Sequence, residues 1–143
     1  MNNRYIFRGE RVDNGEWAEG DLMQWSDGTI RICVENGNDE NTATTVIPET
    51  VGQCTGLTDK NGKLIFEGDV VKSDGYIFIV KFGKCGGVAN NENYGYMGFY
   101  FDGFDDITND ALRMGLRNDI CYFTDIEVIG NIHDNPELLE VER

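Results

Sequence analysis

The stretch FEGDVVKSDGYIFIV, residues 66–80, joins a charged tripeptide, a turn dipeptide and an alternating run of β-branched and aromatic residues. AEGDLMQWSDGTIRI, residues 18–32, follows the same order. Asp-Gly suits a two-residue hairpin turn, because both central positions then take positive φ. Each passage also has an Asn-Gly upstream, so that DNGEWAEGDLMQWSDGTIRI (13–32) aligns with KNGKLIFEGDVVKSDGYIFI (60–79). The offset is 47 residues at Asn-Gly, 48 at EGD and 47 at SDG. Three landmarks in one order at nearly one offset predict a duplicated β-meander. Asn14-Gly15 should then match Asn61-Gly62, and Gly20 should match Gly68, with EGD closing one strand and opening the next.

Outward from these passages, alternating or continuous apolar patterns predict strands over 4–8, 16–25, 29–34, 44–47, 53–56, 63–66, 69–73, 76–82, 96–101 and 120–132. The last is long enough to divide in two. The polar run ENGNDENTA (35–43) and the glycine- and asparagine-rich GKCGGVANNENYG (83–95) read as connections. Helix is scarce. Ile107, Leu112 and Leu116 make a weak stripe near 107–117, capped by Thr108 or Asn109 and weakened by Gly115, which costs about 1 kcal/mol relative to alanine. Asn135 followed by Pro136 and Glu137 starts a short segment over 136–140. The expected fold is mainly β: an N-terminal β-meander unit over 1–52 and a second part over 53–143 carrying an insertion at 83–118, or the two fused into one domain.

Charge narrows the function classes. The 143 residues hold 26 acidic and 12 basic side chains, a net charge of −14, with 13 acids in each half split at residue 72. Binding nucleic acid through its phosphates needs a basic face, and this chain has little material for one. No run approaches the roughly 18 apolar residues of a membrane span. The opening MNNRYIFRGE lacks the apolar stretch of a secretory signal, so the protein is expected to stay in the compartment where it is made. Cys33, Cys54, Cys85 and Cys121 form no close pair, and His133 is the only histidine. Reduced, metal-free and mostly buried thiols are expected.

Catalytic constellations are thin. The only serines, Ser26 and Ser73, both sit in SDG turns, and Cys121 near His133 lies in the apolar run ICYF. A buried thiol without a positive setting is inert. FGKCGG (82–87) lacks the spacing of a phosphate-binding loop. Asp102, Asp105, Asp106 and Asp110 lie close in sequence without the calcium-loop pattern, and read as a solvated acidic turn. No catalytic residue, cofactor or metal ligand is assigned.

One segment stands apart. Between Val88 and Leu112 there is no lysine or arginine, and YGYMGFYFDGF (94–104) holds six of the chain's sixteen aromatics. Interfaces favour aromatic and methionine anchors with charge at the rim. Tyr94, Tyr96, Met97, Phe99, Tyr100, Phe101 and Phe104, with Asp102, Asp105 and Asp106, are therefore the candidate interface. The competing reading is a core strand, with alternation placing Tyr96, Gly98 and Tyr100 on one face and Met97, Phe99 and Phe101 on the other.

CTGLTDKNGKLIFEGDVV (54–71), DIEVIGNIHDNPELL (125–139) and YIFRGERVDNGEWAEGDL (5–22) resemble the YopX-like family of phage and prophage proteins. The resemblance spans nearly the whole chain and departs at 83–118. It implies a mostly β fold with an SH3-like barrel in the C-terminal part, a bacterial host cytoplasm, and no particular biochemical activity. With the aromatic segment, it leads to the expectation of a non-enzymatic accessory protein acting by protein–protein contact, as a homo-oligomer or with a host or phage protein. The alternative is an acidic decoy that mimics DNA and occupies a host nucleic-acid-binding protein. A metal-dependent hydrolase using the carboxylates of 102–110 ranks last.

Overall fold

The computed structural model describes residues 5–34, 43–73, 75–85, 96–103 and 125–139. They fall into two compact units, Met1–Leu57 and Thr58–Arg143.

The first unit is built from β1 (Phe7–Glu10), β2 (Trp17–Gln24), β3 (Ile30–Cys33), β4 (Ala43–Thr45), a 3-10 turn (Pro48–Thr50) and β5 (Gly52–Thr58). Its strands pair antiparallel in the order β4-β3-β2-β1-β5. The Asn14-Gly15 turn closes the first hairpin, with Arg11 N–H on the Glu16 carbonyl at 2.8 Å and Asn14 Oδ1 accepting Glu16 N–H at 2.9 Å. At the next turn, Asp27 Oδ1 accepts Thr29 N–H at 2.9 Å. Both are local side-chain bonds of the kind that make Asn and Asp turn residues. One sheet face carries the apolar cluster of Ala18, Ile32 and Val46, packed by Phe7, Leu22, Ile30, Val34 and Val51. The other face is polar and aromatic: the Arg8 guanidinium lies 4.9 Å from the Trp17 ring, and Arg31 lies 5.2 Å from that of Trp25.

Gly20 sits where β2 changes partner. Residues Trp17–Gly20 pair with β1, and Asp21–Gln24 pair with β3. A Cβ at position 20 would lie 1.9 Å from the Cys33 carbonyl oxygen. The strand can bend past its neighbour only because this residue has no side chain.

The second unit holds β6 (Leu64–Phe66), β7 (Asp69–Ser73), β8 (Tyr76–Cys85), β9 (Tyr96–Gly103), β10 (Glu127–Asn131) and a 3-10 turn (Pro136–Leu139). Four of these strands pair antiparallel in the order β10-β7-β8-β9. Val70 and Val71 are both fully buried, so central β7 is covered on two faces. This matches its continuous apolar pattern. Ile65, Phe66, Phe78, Val80, Phe101 and Ile126 complete the core.

Two side chains organise this unit. Asp59 caps the turn before β6, its Oδ1 accepting Asn61 N–H and Lys63 N–H at 2.9 Å each. Its Oδ2 accepts Val128 N–H at 3.0 Å, and Lys60 N–H reaches the Ile126 carbonyl, so the turn is tied to β10. Asp69 is buried, with Oδ2 accepting Phe66 N–H at 2.8 Å across the Glu67-Gly68 turn. At the chain's far end, Asn131 Oδ1 accepts the N–H groups of His133 and Asp134, while Asn135 Oδ1 accepts Asn131 N–H. The motif GNIHDNP is thus a set of reciprocal caps.

Several expectations need correction. The Asn-Gly turns do correspond, with φ of +73° at Gly15 and +81° at Gly62. The two EGD elements do not: Gly68 turns the chain at φ +91° between β6 and β7, whereas Gly20 lies inside unbroken β2 and is not in the positive-φ region. Gly20 therefore does not match Gly68, and the duplicated meander fails at its middle landmark. Identical local sequence takes two conformations because β2 passes at Gly20 from its ladder with β1 directly into its ladder with β3, while Gly68 joins two strands and is bonded to the Val80 carbonyl and to Ile132 N–H. The SH3-like barrel is not seen either: among the described residues both sheets are open, with different strands at their two edges. The segment at 136–140 is a 3-10 turn, in which Leu138 N–H bonds the Asn135 carbonyl, and the stripe at 107–117 lies outside the described residues. β1 runs from Phe7 to Glu10 instead of 4–8, and β10 begins at Glu127. β8 continues through Cys85 into the expected connection, because β9 pairs with it over eight residues.

Candidate interaction surface

β8 and β9 form a long hairpin whose register runs from Phe78 opposite Gly103 to Cys85 opposite Tyr96. Directly opposed residues share a face. Phe78, Val80 and Phe82 on β8 thus lie with Phe101, Phe99 and Met97 on β9, and Ile79, Lys81 and Gly83 lie with Asp102, Tyr100 and Gly98.

The first of these faces divides along its length. At the inner end Phe78 and Phe101 are fully buried and stack with ring centroids 5.6 Å apart. At the outer end Phe82 is 50% exposed, Met97 is 65% exposed, and Phe99 meets Phe82 edge-to-face at 5.1 Å. Tyr76, on the same side of β8, is also exposed and lies 6.4 Å from Phe78. The face is one aromatic strip, dry in the middle and open at its ends. The second face is not the apolar surface that alternation suggested. Lys81 and Asp102 form a close ion pair there, and Tyr100 lies over Gly83, whose place a Cβ would fill at 3.4 Å from the ring.

Of the candidate residues, Met97, Phe99, Tyr100, Phe101 and Asp102 are thus brought onto one strand but do not form one surface. Phe101 belongs to the core. Tyr96 takes the register position opposite Cys85. Tyr94, Phe104, Asp105, Asp106 and Asp110 lie outside the described residues, as does Cys121. Sequence reasoning passed over Phe82 and Tyr76. The signal was available in the spacing of Tyr76, Phe78, Val80 and Phe82, which places all four on one side of a strand.

Other candidates give less. Ser73 is buried beside its turn, and Cys54 is fully buried with Sγ accepting Gly56 N–H at 3.4 Å. His133 is half-buried in the capped turn after β10. Among the described residues no three acidic, histidine or cysteine side chains converge as metal ligands, and no helix is long and apolar enough to cross a membrane.

Residues 6–140 match the family model described as YopX protein. The chain belongs to the YopX family. No curated protein matches it. The YopX-like passages at 54–71 and 125–139 supply Asp59, Gly68, Asp69, Asn131 and Asn135, each of which holds backbone in place. The residues of the YopX-like passages thus have architectural roles, and the match runs on through 83–118, into which the open aromatic strip extends.

Proposed function

We propose that this YopX family member is a non-enzymatic phage or prophage accessory protein that acts by protein–protein contact through the outer end of β8–β9. The observation that carries the reading is the group of exposed Phe82 and exposed Met97 with half-buried Phe99 packed edge-to-face on Phe82. An aromatic pair with a methionine beside it, outside the core of its own unit, is the composition of an interface anchor. The polar side chains of the YopX-like passages at 54–71 and 125–139 support turns and strands, which leaves the open aromatic group at the end of β8–β9 as the surface offered for contact.

Affinity capture from a bacterial lysate, with the bound species identified by mass spectrometry, tests this against the acidic-decoy reading. Exposed charge attraction is largely screened at about 0.5 M salt, whereas apolar contact persists. The expected result is a species retained at high salt by the wild-type chain and lost with Phe82→Ser. A species that washes off at high salt and ignores Phe82→Ser would favour the decoy instead.

A further inference from the structure

We infer that Asn61-Gly62 is a self-modifying site: the turn converts spontaneously to an isoaspartyl linkage, and that product unfastens the Asp59 tie to β10. Asn-Gly occurs at 14–15, 36–37 and 61–62, and the middle pair lies outside the described residues. The other two turns share a conformation, with φ of +73° at Gly15 and +81° at Gly62, and in both the glycine N–H reaches a backbone carbonyl at 3.0 Å. Their asparagine side chains are held differently. Asn14 Oδ1 accepts Glu16 N–H at 2.9 Å, and its Nδ2 donates to Glu16 Oε2 at 3.4 Å. At Asn61 the backbone N–H is bonded to Asp59 Oδ1, but among the described residues the exposed side chain takes part in no hydrogen bond. The space differs as well. A Cβ on Gly62 would meet nothing within 4 Å, whereas one on Gly15 would lie 3.7 Å from the Glu10 carboxylate.

The chemistry needs only water. The Gly62 backbone nitrogen attacks Asn61 Cγ, the new N–Cγ bond closes a succinimide, and Nδ2 leaves as ammonia with the proton that Gly62 gives up. Water then opens one of the two carbonyl–nitrogen bonds. Opening at Cγ leaves an ordinary aspartate; opening at the main-chain carbonyl leaves isoaspartate, whose backbone runs through Cγ and is one methylene longer. Glycine on the attacking side hinders neither turn, so the brake is how firmly each asparagine is held. Asn14 must release Glu16 before its Cγ can turn toward Gly15; Asn61 has no such bond to break. Charge acts in the same direction, because the attacking nitrogen becomes negative as it loses its proton, and neighbouring carboxylates oppose that. The ion pairs Arg11–Asp13 and Lys60–Glu127 each cancel, which leaves Glu10 and Glu16 beside the first turn and Asp59 with Lys63 beside the second. The consequence follows from Asp59. Its Oδ1 accepts the N–H groups of residues 61 and 63, so an added methylene between them moves the two donors apart and disturbs the carboxylate that also holds Val128.

Timed incubation of the full chain in mildly alkaline buffer, followed by peptide mapping with mass spectrometry, tests the inference. In the folded protein Asn61 should convert at least about ten-fold faster than Asn14, the factor that hydrogen bonds broken before attack impose on a rate. The gap should narrow in guanidinium chloride, where neither set of bonds survives. An isoaspartyl-specific methyltransferase should label the modified peptide at position 61. Chain carrying isoaspartate there, separated chromatographically, should melt below Asn61→Asp, which has the same charge on an ordinary backbone. Asn14 converting as fast as Asn61 in the folded protein, or a gap unchanged by unfolding, would overturn the site. An isoaspartyl chain that melts together with Asn61→Asp would overturn the release of Asp59.

Discussion

Gly20→Ala is expected to lower the thermal midpoint of the protein by more than about 12 °C, from a cost of at least about 3 kcal/mol on a unit of this size. A methyl group at this position would sit 1.9 Å from a backbone carbonyl oxygen, that of Cys33. A flexible side chain could swing away, but a carbonyl in a paired strand moves only if β3 moves. Asp21 opposes Cys33 and Leu22 opposes Ile32, so separating the two strands there also pulls Ile32 from the cluster with Ala18 and Val46. Gly28→Ala is the matched comparison. It has positive φ, +92°, but nothing within 4 Å of the new Cβ. Its cost should be only the roughly 1–2 kcal/mol of a left-handed alanine. Melting followed by circular dichroism should rank wild type above Gly28→Ala, and Gly28→Ala above Gly20→Ala. Equal midpoints for the two variants would mean that β2 and β3 can separate cheaply.

The second large effect is expected at Asp59. Its carboxylate accepts three backbone N–H groups, two from its own turn and one from Val128, 69 residues away. Asp59→Ala removes all three hydrogen bonds and should cost about 3 kcal/mol, since each poorly replaced donor is worth about 1–3 kcal/mol. Asp59→Asn should cost roughly half as much: its amide oxygen can still serve Asn61 and Lys63, but its NH2 cannot accept from Val128. Burial alone would raise the carboxyl pKa, but the N–H groups of Val128, Lys63 and Asn61, with the Lys63 charge, outweigh it and hold the group below its ordinary value. The folded protein therefore favours the ionised form more than the unfolded chain does. This part of the stability is complete above the unfolded carboxyl pKa of about 3.9 and fades as pH falls through the lower folded value. Denaturant titrations between pH 7 and pH 3 should show Asp59→Asn losing less stability on acidification than wild type. Parallel curves would mean that the three donors are satisfied without the charge.

What the sequence disclosed depended on how local the determinant was. The Asn-Gly and Asp-Gly turns could be read because two residues suffice to set their geometry. β7 could be read to the residue, since Asp69–Ser73 is apolar at its centre and bounded by turns on both sides. EGD could not, because its conformation is set by distant backbone: Gly20 runs from the ladder with β1 into the ladder with β3, whereas Gly68 is fixed in its turn by its N–H on the Val80 carbonyl and by Ile132 N–H on its own carbonyl. Asp59 looked like an ordinary turn residue, and only the fold brings Val128 to its second oxygen. In the aromatic segment, alternation identified the two faces but not where along β9 the core stops. That limit is set by Phe78 and Val80, which cover Phe101 and do not extend to Met97.

The order β10-β7-β8-β9 also bears on how the chain folds as it is synthesised. β7 can pair with β8 as soon as their shared turn leaves the ribosome, but its other side must wait for β10, roughly 50 residues later. At roughly 5–20 residues per second that wait lasts several seconds. Throughout it the fully buried Val70 and Val71 belong to a strand with one unpaired edge. Asp59 waits as well, because its partner Val128 emerges with β10. Docking of β10 therefore closes the vulnerable edge and engages the Asp59 tie together, which makes completion of the second unit a late, concerted event in translation.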